Sequence, residues 1–449
     1  MAFTATTQWD VRTTGSDTNG GGFDTATAGT DYSQQNAAQV TYTDLVIDAA
    51  TNTKCTSAAN PFTAAHVGNI INITSGTGFT VQRVQVVSVA AGVATCDKSL
   101  GTLSSTGGNG KLGGALATPA AAAAVLVHQN TVHVKAGTYT FTATLALIAA
   151  GQFWWGFNTT HRDGGTRPLF TTATDSTILV TCPGSKSVLF RNINFSNTAA
   201  VRSSGIGPVG SEYVEVSDCK FTGFTNAIST SYIVLATGCE FTLNTLAGVL
   251  TGTYGALQGC YFHDNLKDDF FYTGTVGMSV TRCIFANTPR YAMGSNSNDA
   301  QIAAVANCVF YKCGKTFAGN PFPAILGGLG YIDALLVNNI FYGGGATPYY
   351  GPDVSNGPGT TVTLGRNNAI DSQGMTFYSS VGDVLLTADP FTNAAGGDYT
   401  LNATAGGGLL CKAAGYPGAG FGGATAGTLD IGAVQSGAAS GGGQKGYPV

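Results

Sequence analysis

The sequence predicts an all-β protein whose main part is a solenoid, a parallel β-helix. The first observation is a three-residue phrase, in most copies Cys-x-Phe, that occurs seven times at intervals of 20 to 31 residues. Each copy also follows an apolar run, and Gly and Asn punctuate units that are too short for two helices. A phrase repeated at this period is typical of a solenoid, in which each repeat buries its apolar face against its neighbours. The seven copies are Ile193–Phe195, Cys219–Phe221, Cys239–Phe241, Cys260–Phe262, Cys283–Phe285, Cys308–Phe310 and Asn339–Phe341.

The composition agrees with a solenoid and narrows the function classes. Of 449 residues, 64 are Gly, while 10% are charged and 43% are apolar. Gly supplies tight turns, and β-branched and aromatic residues fill ladder interiors. A net charge of −4 without any Lys/Arg-rich run gives no reason to expect a nucleic-acid partner. No apolar run is long enough to span a membrane, and the N-terminus lacks the pattern of a signal peptide, so we expect neither membrane insertion nor a leader.

The cysteines predict a buried column rather than disulfides or a metal site. Five of the ten occupy the same repeat position, and equivalent residues on successive coils stack about 4.8 Å apart. Because the chain has no CxxC spacing and no His beside this column, we expect reduced thiols, no metal and no cofactor. Outside the repeat, Cys55 and Cys96 could face each other across two strands. The five stacked residues are Cys219, Cys239, Cys260, Cys283 and Cys308.

Further elements can be placed in chain order around the repeat. A strand near Trp9 runs into a Gly/Asn/Asp turn, and short alternating strands without the Cys-x-Phe phrase follow it. Thr118 is placed as the N-cap of a short helix with Pro119 at its first position and an Ala-rich body to Val127. Such a helix would cover the apolar end of the first coil. The predicted divisions are an N-terminal strand and turn at 1–36, a small β module at 37–112, the β-helix at 113–435 and a flexible Gly/Ser-rich tail at 436–449.

Several short segments resemble one known group of proteins. Gly15–Gly21, the Thr118-Pro119 helix and Val134–Tyr139 are similar to the N-terminal pattern of right-handed parallel β-helix repeat proteins, in the pectate-lyase-like superfamily. The resemblance implies a right-handed β-helix but only weakly an activity, because this fold hosts lyases, hydrolases, adhesins and phage spikes. Its phage members further imply a homotrimer. Three later segments look like the closing segment common in bacterial and phage members: Asp389–Phe391, Asp398–Leu401 and Asp430–Ala433.

One polar cluster follows the fourth repeat phrase and is the candidate catalytic site. Alignment of the coils by their Phe places Lys267, Arg290 and Lys315 at the same offset, with Asp268 and Asp269 beside this basic column. One interpretation is a groove for an acidic glycan, in which the two Asp residues act as acids or cation ligands and Arg290 as base or clamp. The other is a surface ladder whose opposite charges relieve like-charge stacking.

Two aromatic groups are candidate ligand-binding surfaces. Trp154 and Trp155 follow Phe153, and Tyr349 and Tyr350 follow a Pro. Aromatic rings stack on the apolar faces of sugars, but they also cover core rims and subunit interfaces. The nearby triplet His161–Asp163, in a Gly-containing loop, is interpreted as a solvated turn.

Taken together, the sequence favours a bacteriophage virion structural protein that forms a rigid surface β-helix. It would be a tail spike, a fibre or a head-decoration protein, with other capsid or tail proteins as partners and a host surface polysaccharide as a candidate ligand. The first alternative is a secreted, extracellular polysaccharide lyase or hydrolase of the pectate-lyase-like type. The second is a self-assembling surface-layer protein.

Overall fold

The computed structural model divides the chain into two compact units. The first comprises residues 1–171 and 180–194, and the second comprises residues 172–179 and 195–449. The residues that the structure describes are 3–183, 187–209, 213–230, 232–273, 277–295, 301–314, 316–317, 320–321, 325–326, 332–343, 363–371, 379–412, 414–415 and 430–435.

The first unit contains a closed barrel of short antiparallel strands. Apolar side chains that alternate along these strands, among them Tyr42, Ile71, Val84 and Leu112, fill its core. The small β module predicted from the sequence is therefore present, although its boundaries as a separate domain remain a prediction. A 3-10 helix at Ala64–His66 precedes the third strand of the barrel. The six strands in chain order are Val40–Ile47, Lys54–Thr56, Ile70–Ser75, Gln82–Ala90, Val93–Cys96 and Gly108–Leu112.

The same unit also contains a parallel ladder. Strand Thr7–Val11 pairs antiparallel with Gly22–Asp24 and parallel with Thr131–Lys135. Strand Gln152–Phe157 then joins Thr131–Lys135 to Ser187–Arg191, again in parallel. The remaining strands up to this point are Thr138–Phe141, Leu145–Ala146, Leu169–Thr172 and Val180–Pro183.

The predicted short helix after Thr118 is confirmed and spans Pro119–Ala123. The Thr118 hydroxyl accepts a hydrogen bond from the N–H of Ala121 at 3.1 Å, and Pro119 occupies the first turn, where its missing N–H costs nothing. The helix ends at Ala123, short of the predicted Val127, whose N–H donates instead to the side chain of Asn130.

The second unit is a β-helix formed by three parallel sheets, and each turn of the helix is one coil. The first sheet contains Tyr213–Ser217, Ile233–Thr237, Tyr254–Gln258, Gly277–Thr281, Gln301–Ala306, Ile332–Val337, Thr363–Arg366 and Ser379–Val381. The second contains Asn194–Asn197, Lys220–Thr222, Glu240–Thr242, Tyr261–His263, Ile284–Ala286, Val309–Tyr311, Ile340–Tyr342, Ala369–Asp371 and Val384–Leu386. The third contains Ile206–Val209, Asn226–Thr230, Ala247–Thr251, Asp268–Tyr272, Met293–Ser295 and Ile325–Leu326.

The repeat phrase sets the register of these sheets. Phe221 pairs with Phe241, Phe241 with Phe262, and so on through Phe341, and the rings of consecutive coils stack at centroid distances of 4.6 to 5.3 Å. The five stacked cysteines are fully buried beside this column, and none of the ten cysteines forms a disulfide. The predicted class, an all-β parallel β-helix, is confirmed.

The closing segment packs on the outer side of the second sheet. Phe391 and Tyr399 contact a cluster that includes Ile284, Val309 and Ile340, the residues between Cys or Asn and Phe in their coils. No helix in the described part of the chain combines the length and apolarity needed to cross a bilayer. The shorter elements of this unit are the hairpins Thr316–Phe317 with Asn320–Pro321 and Phe391–Asn393 with Asp398–Leu401, the 3-10 helix Ala394–Gly396 and the helix Gly408–Cys411.

Candidate functional site

Asp268 and Arg290 form an ion pair on neighbouring coils. Arg290 Nε donates to Asp268 Oδ1 at 2.6 Å and its Nη2 donates to Oδ2, a bidentate arrangement. The side chain of Asp268 is 2% exposed and that of Arg290 is 19% exposed. Burial raises the pKa of Asp268, and the guanidinium opposes that rise. The Asp268 carboxylate is thus already occupied by a protein partner.

Asp269 lies in a different environment from its neighbour. Its carboxyl group accepts a hydrogen bond from Asn265 Nδ2 at 2.7 Å and another from the Thr288 hydroxyl. The residue is fully buried, and burial raises its pKa to about 8. Successive residues of a strand point to opposite faces, and Asp268 and Asp269 open the strand Asp268–Tyr272. The two carboxyl groups are held by different partners, and the charge of Asp268 also contributes to the raised pKa of Asp269.

The other residues of the predicted column are only partly described. The N–H of Arg290 donates to the carbonyl oxygen of Lys267 at 3.1 Å, so these two residues are neighbours on successive coils, as the Phe alignment predicted. Lys315, Tyr349 and Tyr350 lie outside the residues whose side chains the structure describes.

The two tryptophans of the first unit have separate positions. Trp154 is fully buried against Phe170 and Phe190, and its indole N–H donates to Gln152 Oε1 at 3.2 Å. Its ring lies inside the core. Trp155 is half-buried on the opposite face of the same strand, where alternation directs it away from the core.

Trp155 belongs to a column of four side chains across the parallel ladder. Asp10 pairs with His133, and His133 pairs with Trp155. Trp155 then pairs with Arg191 on the next strand. Because residues opposite each other in a ladder share a face, this column places an acid, an imidazole, an indole and a guanidinium side by side.

A loop formed by residues 158–165, the covering loop, folds over this column. His161 Nε2 lies 2.9 Å from Asp10 Oδ2, and its ring stacks on His133 with a centroid distance of 3.8 Å. The guanidinium of Arg162 lies 4.6 Å from the centroid of the Trp155 ring. The interpretation of His161–Asp163 as a solvated turn is therefore wrong for His161. Sequence spacing could not show this contact, because Asp10 and His161 are 151 residues apart.

Asp163 fixes the conformation of the covering loop. Its carboxylate accepts backbone N–H bonds from Asn158, Thr159, Thr160 and Gly165 at 2.6 to 3.1 Å. These bonds hold the pKa of Asp163 well below its usual value. Arg162, the residue before it, adopts a left-handed conformation with φ of 67° that turns the chain back onto the sheet.

Burial shifts the pKa values of Asp10 and His133 in opposite directions. Burial raises the pKa of Asp10, and the hydrogen bond from His161 and the charge of Arg12 oppose that rise. Burial lowers the pKa of His133 to about 3, so its ring is neutral at physiological pH. Among the described residues, no group of three or more His, Cys, Asp and Glu side chains is placed to hold a metal ion.

Comparison with known proteins gives distant structural likenesses. No protein family and no curated protein matches the sequence. The catalytic domain of a GH87 α-1,3-glucanase in complex with tetrasaccharides is 12% identical over 78% of each chain, with a TM-score of 0.39. The tailspike protein gp49 from Pseudomonas phage LKA1 is 12% identical over 79% of this chain and 64% of its own, with a TM-score of 0.24. Likenesses this distant transfer no activity, and the strand register itself assigns the chain to the parallel β-helix fold.

Proposed function

We propose that this chain is a surface structural protein of a bacteriophage particle, a rigid β-helix that binds glycans without cleaving them. The observation that carries the proposal is the internal pairing of the acidic cluster. Asp268 is bound by Arg290, and Asp269 by Asn265 and Thr288, so this cluster contributes to the coil rather than to a groove.

The ladders support a mechanical role. Stacked Phe rings, buried thiols and parallel backbone pairing repeat from coil to coil. A solenoid of this kind gains stability from each interface between neighbouring repeats. With few charged residues, such a rod is suited to lasting exposure on a particle surface.

The same geometry disfavours the alternative of a polysaccharide lyase or hydrolase at Asp268 and Asp269. A hydrolase needs two carboxyl groups that flank one glycosidic bond, and a lyase needs a base that reaches the sugar. Here the two carboxyl groups are buried and are bound by different partners, Asp268 by Arg290 and Asp269 by Asn265 and Thr288. The aromatic and basic side chains around Trp155 suit the binding of a glycan. The proposal therefore assigns this chain glycan binding rather than glycan cleavage at Asp268 and Asp269.

Assembly and location belong to the same proposal. The protein would form homotrimers and attach to other capsid or tail proteins as a spike, a fibre or a head decoration. The barrel and the 436–449 tail, which lies outside the described residues, are the proposed attachment surfaces. The virion surface is then its location.

The test is to locate the protein on particles and to assay cleavage. Antibodies against the purified chain should label intact phage particles that carry its gene, and the chain should persist through density-gradient purification of those virions. The purified protein should release no reducing ends or unsaturated uronates from a panel of polysaccharides. Absence from particles, together with cleavage that disappears in Asp268→Asn, would establish the enzyme instead. Ordered polymers of the isolated chain without any particle would establish a surface layer.

A further inference from the structure

The column under the covering loop places two guanidinium groups next to an indole ring. Arg162 lies 4.6 Å and Arg191 lies 4.9 Å from the centroid of the Trp155 ring. Both arginines are exposed, and Trp155 is half-buried. Attraction between guanidinium groups and the indole face holds the three side chains together.

We propose that Arg162, Arg191 and Trp155 bind the anionic group of an acidic glycan, a carboxylate or a sulfate on a sugar ring. This inference rests on the proposed glycan-binding role and names the class of glycan. A guanidinium presents a planar fork of N–H donors that matches a carboxylate or a sulfate. The guanidinium groups of both Arg162 and Arg191 lie next to the Trp155 ring.

The charge balance around the ring favours an anion. The chain as a whole carries a net charge of −4. Arg167 adds a further positive charge, with its Nε bonded at 3.2 Å to Oδ1 of Asn192, the residue after Arg191. Asp163 is the acidic neighbour, and its carboxylate is engaged by backbone N–H groups. Among the described residues, Arg162 takes part in none of the ion pairs, so its guanidinium keeps N–H donors for a ligand.

The covering loop preorganises Arg162 for this role. Asp163 closes the loop on one side of Arg162, and the contact of His161 with Asp10 fixes it on the other. A binding group held in place before the ligand arrives loses less conformational entropy on binding. The arrangement is therefore a built site rather than a pair of mobile surface charges.

An adjacent aromatic side chain extends the surface for a sugar chain. Phe153 is 37% exposed and lies two residues before Trp155, on the same face of the strand. The two residues are separated by roughly 6.5 Å along the strand, so Phe153 can contact the sugar next to the one whose anion is bound. The partner is accordingly an oligosaccharide rather than a free anion.

The experiment measures binding of the full chain by calorimetry to three probes. Polygalacturonate oligomers carry carboxylates, chondroitin sulfate oligomers carry sulfates as well, and dextran oligomers are neutral. We expect binding to one or both acidic probes and none to dextran, with an affinity that falls as salt is added. A clear preference between the two acidic probes identifies the recognised anion.

Three variants locate the site. Arg162→Ala keeps a β-carbon at the left-handed position and should weaken binding by about tenfold or more, the effect of losing one charge-assisted contact. Arg162→Lys, which keeps the charge but not the planar fork, should give an intermediate affinity. Lys54→Ala removes an exposed positive charge from the barrel and should bind as the native chain does.

Two results would overturn the inference. One is failure of all acidic probes to bind a chain whose thermal unfolding is normal, and the other is equal affinity of Arg162→Ala and the native protein. Either result leaves the particle-labelling experiment unaffected, so the proposed virion role is tested separately.

Discussion

The backbone N–H of Cys308 donates to Oδ1 of Asn339, one coil further on, at 2.9 Å. The N–H of Cys283 donates in the same way to the thiol of Cys308 at 3.4 Å, and the N–H of Asn339 donates to Asn368 Oδ1 at 3.0 Å. A thiol sulfur and an amide oxygen thus serve as alternative acceptors for the same buried N–H. The oxygen is the stronger acceptor, and the column changes from Cys to Asn toward the end of the coil.

Replacement of Asn339 by Ala should destabilise the second unit by about 2–4 kcal/mol, because it leaves the N–H of Cys308 buried without an acceptor. It also removes the bond from Asn339 Nδ2 to the carbonyl oxygen of Val305 at 2.9 Å. The loss of stability is measured from urea unfolding curves recorded by far-UV circular dichroism.

Two companion variants make this measurement specific. Asn339→Cys restores an acceptor of the kind used by the preceding coils and should recover part of the loss. Asn60→Ala, at an exposed position of the barrel, should have no effect. Equal stability of Asn339→Ala and Asn339→Cys would show that the ladder bond contributes nothing.

The thiols of the native protein should be almost unreactive. Burial raises the pKa of Cys239, Cys260 and Cys283 well above its ordinary value, and the thiolate is the reactive form. Labelling with a chromogenic disulfide reagent should be roughly a hundredfold slower than in denaturant, since exposure requires local unfolding that costs several kcal/mol. All ten thiols should react after unfolding without reductant. A count below ten would reveal a disulfide, with Cys55 and Cys96 as the first pair to check by mass spectrometry.

Removal of Arg290 should cost more than removal of the whole ion pair. Arg290→Met leaves the Asp268 carboxylate buried and unpaired, which typically costs about 3–5 kcal/mol. The double variant Asp268→Asn, Arg290→Met removes that charge and should be more stable than the single variant. Because burial already raises the pKa of Asp268, the loss in Arg290→Met should grow from pH 5 to pH 8. A loss below about 1 kcal/mol would show that Asp268 and Arg290 behave as a solvent-exposed ion pair, which contributes little to stability.

Repetition made the coil predictable from sequence. Alignment by Phe located the buried columns and placed Arg290 above Lys267, because one register applies to every coil. The same alignment places Asn339 at the position that Cys occupies in the preceding phrases. It therefore contained the information that Asn continues the column of Cys side chains. The alignment did not indicate which way the side chains point after the turn that follows Phe262. Alternation within the strand that begins at Asp268 would have separated the two carboxyl groups.

The column at Trp155 could not be predicted in this way. The strands that bear Asp10, His133 and Trp155 carry no shared phrase, so nothing in the sequence indicates their register. His161 reaches Asp10 through a non-repeating loop, and such contacts depend on tertiary packing alone.

Asp269 should make the stability of the second unit depend on pH. Its pKa is about 8 in the folded protein and about 4 in the unfolded chain, so between these values the folded state binds the extra proton. The stabilising contribution of protonated Asp269 is therefore complete at low pH and is lost as pH rises through 8, with a slope approaching about 1.4 kcal/mol per pH unit between them. Asp269→Asn is a neutral isostere that can accept from Asn265 and donate to Thr288, so it should abolish this slope and exceed the native protein in stability at pH 9. Urea unfolding midpoints from pH 5 to pH 9 measure both effects. A parallel pH dependence in the variant would mean that Asp269 is ionised in the folded protein throughout this range.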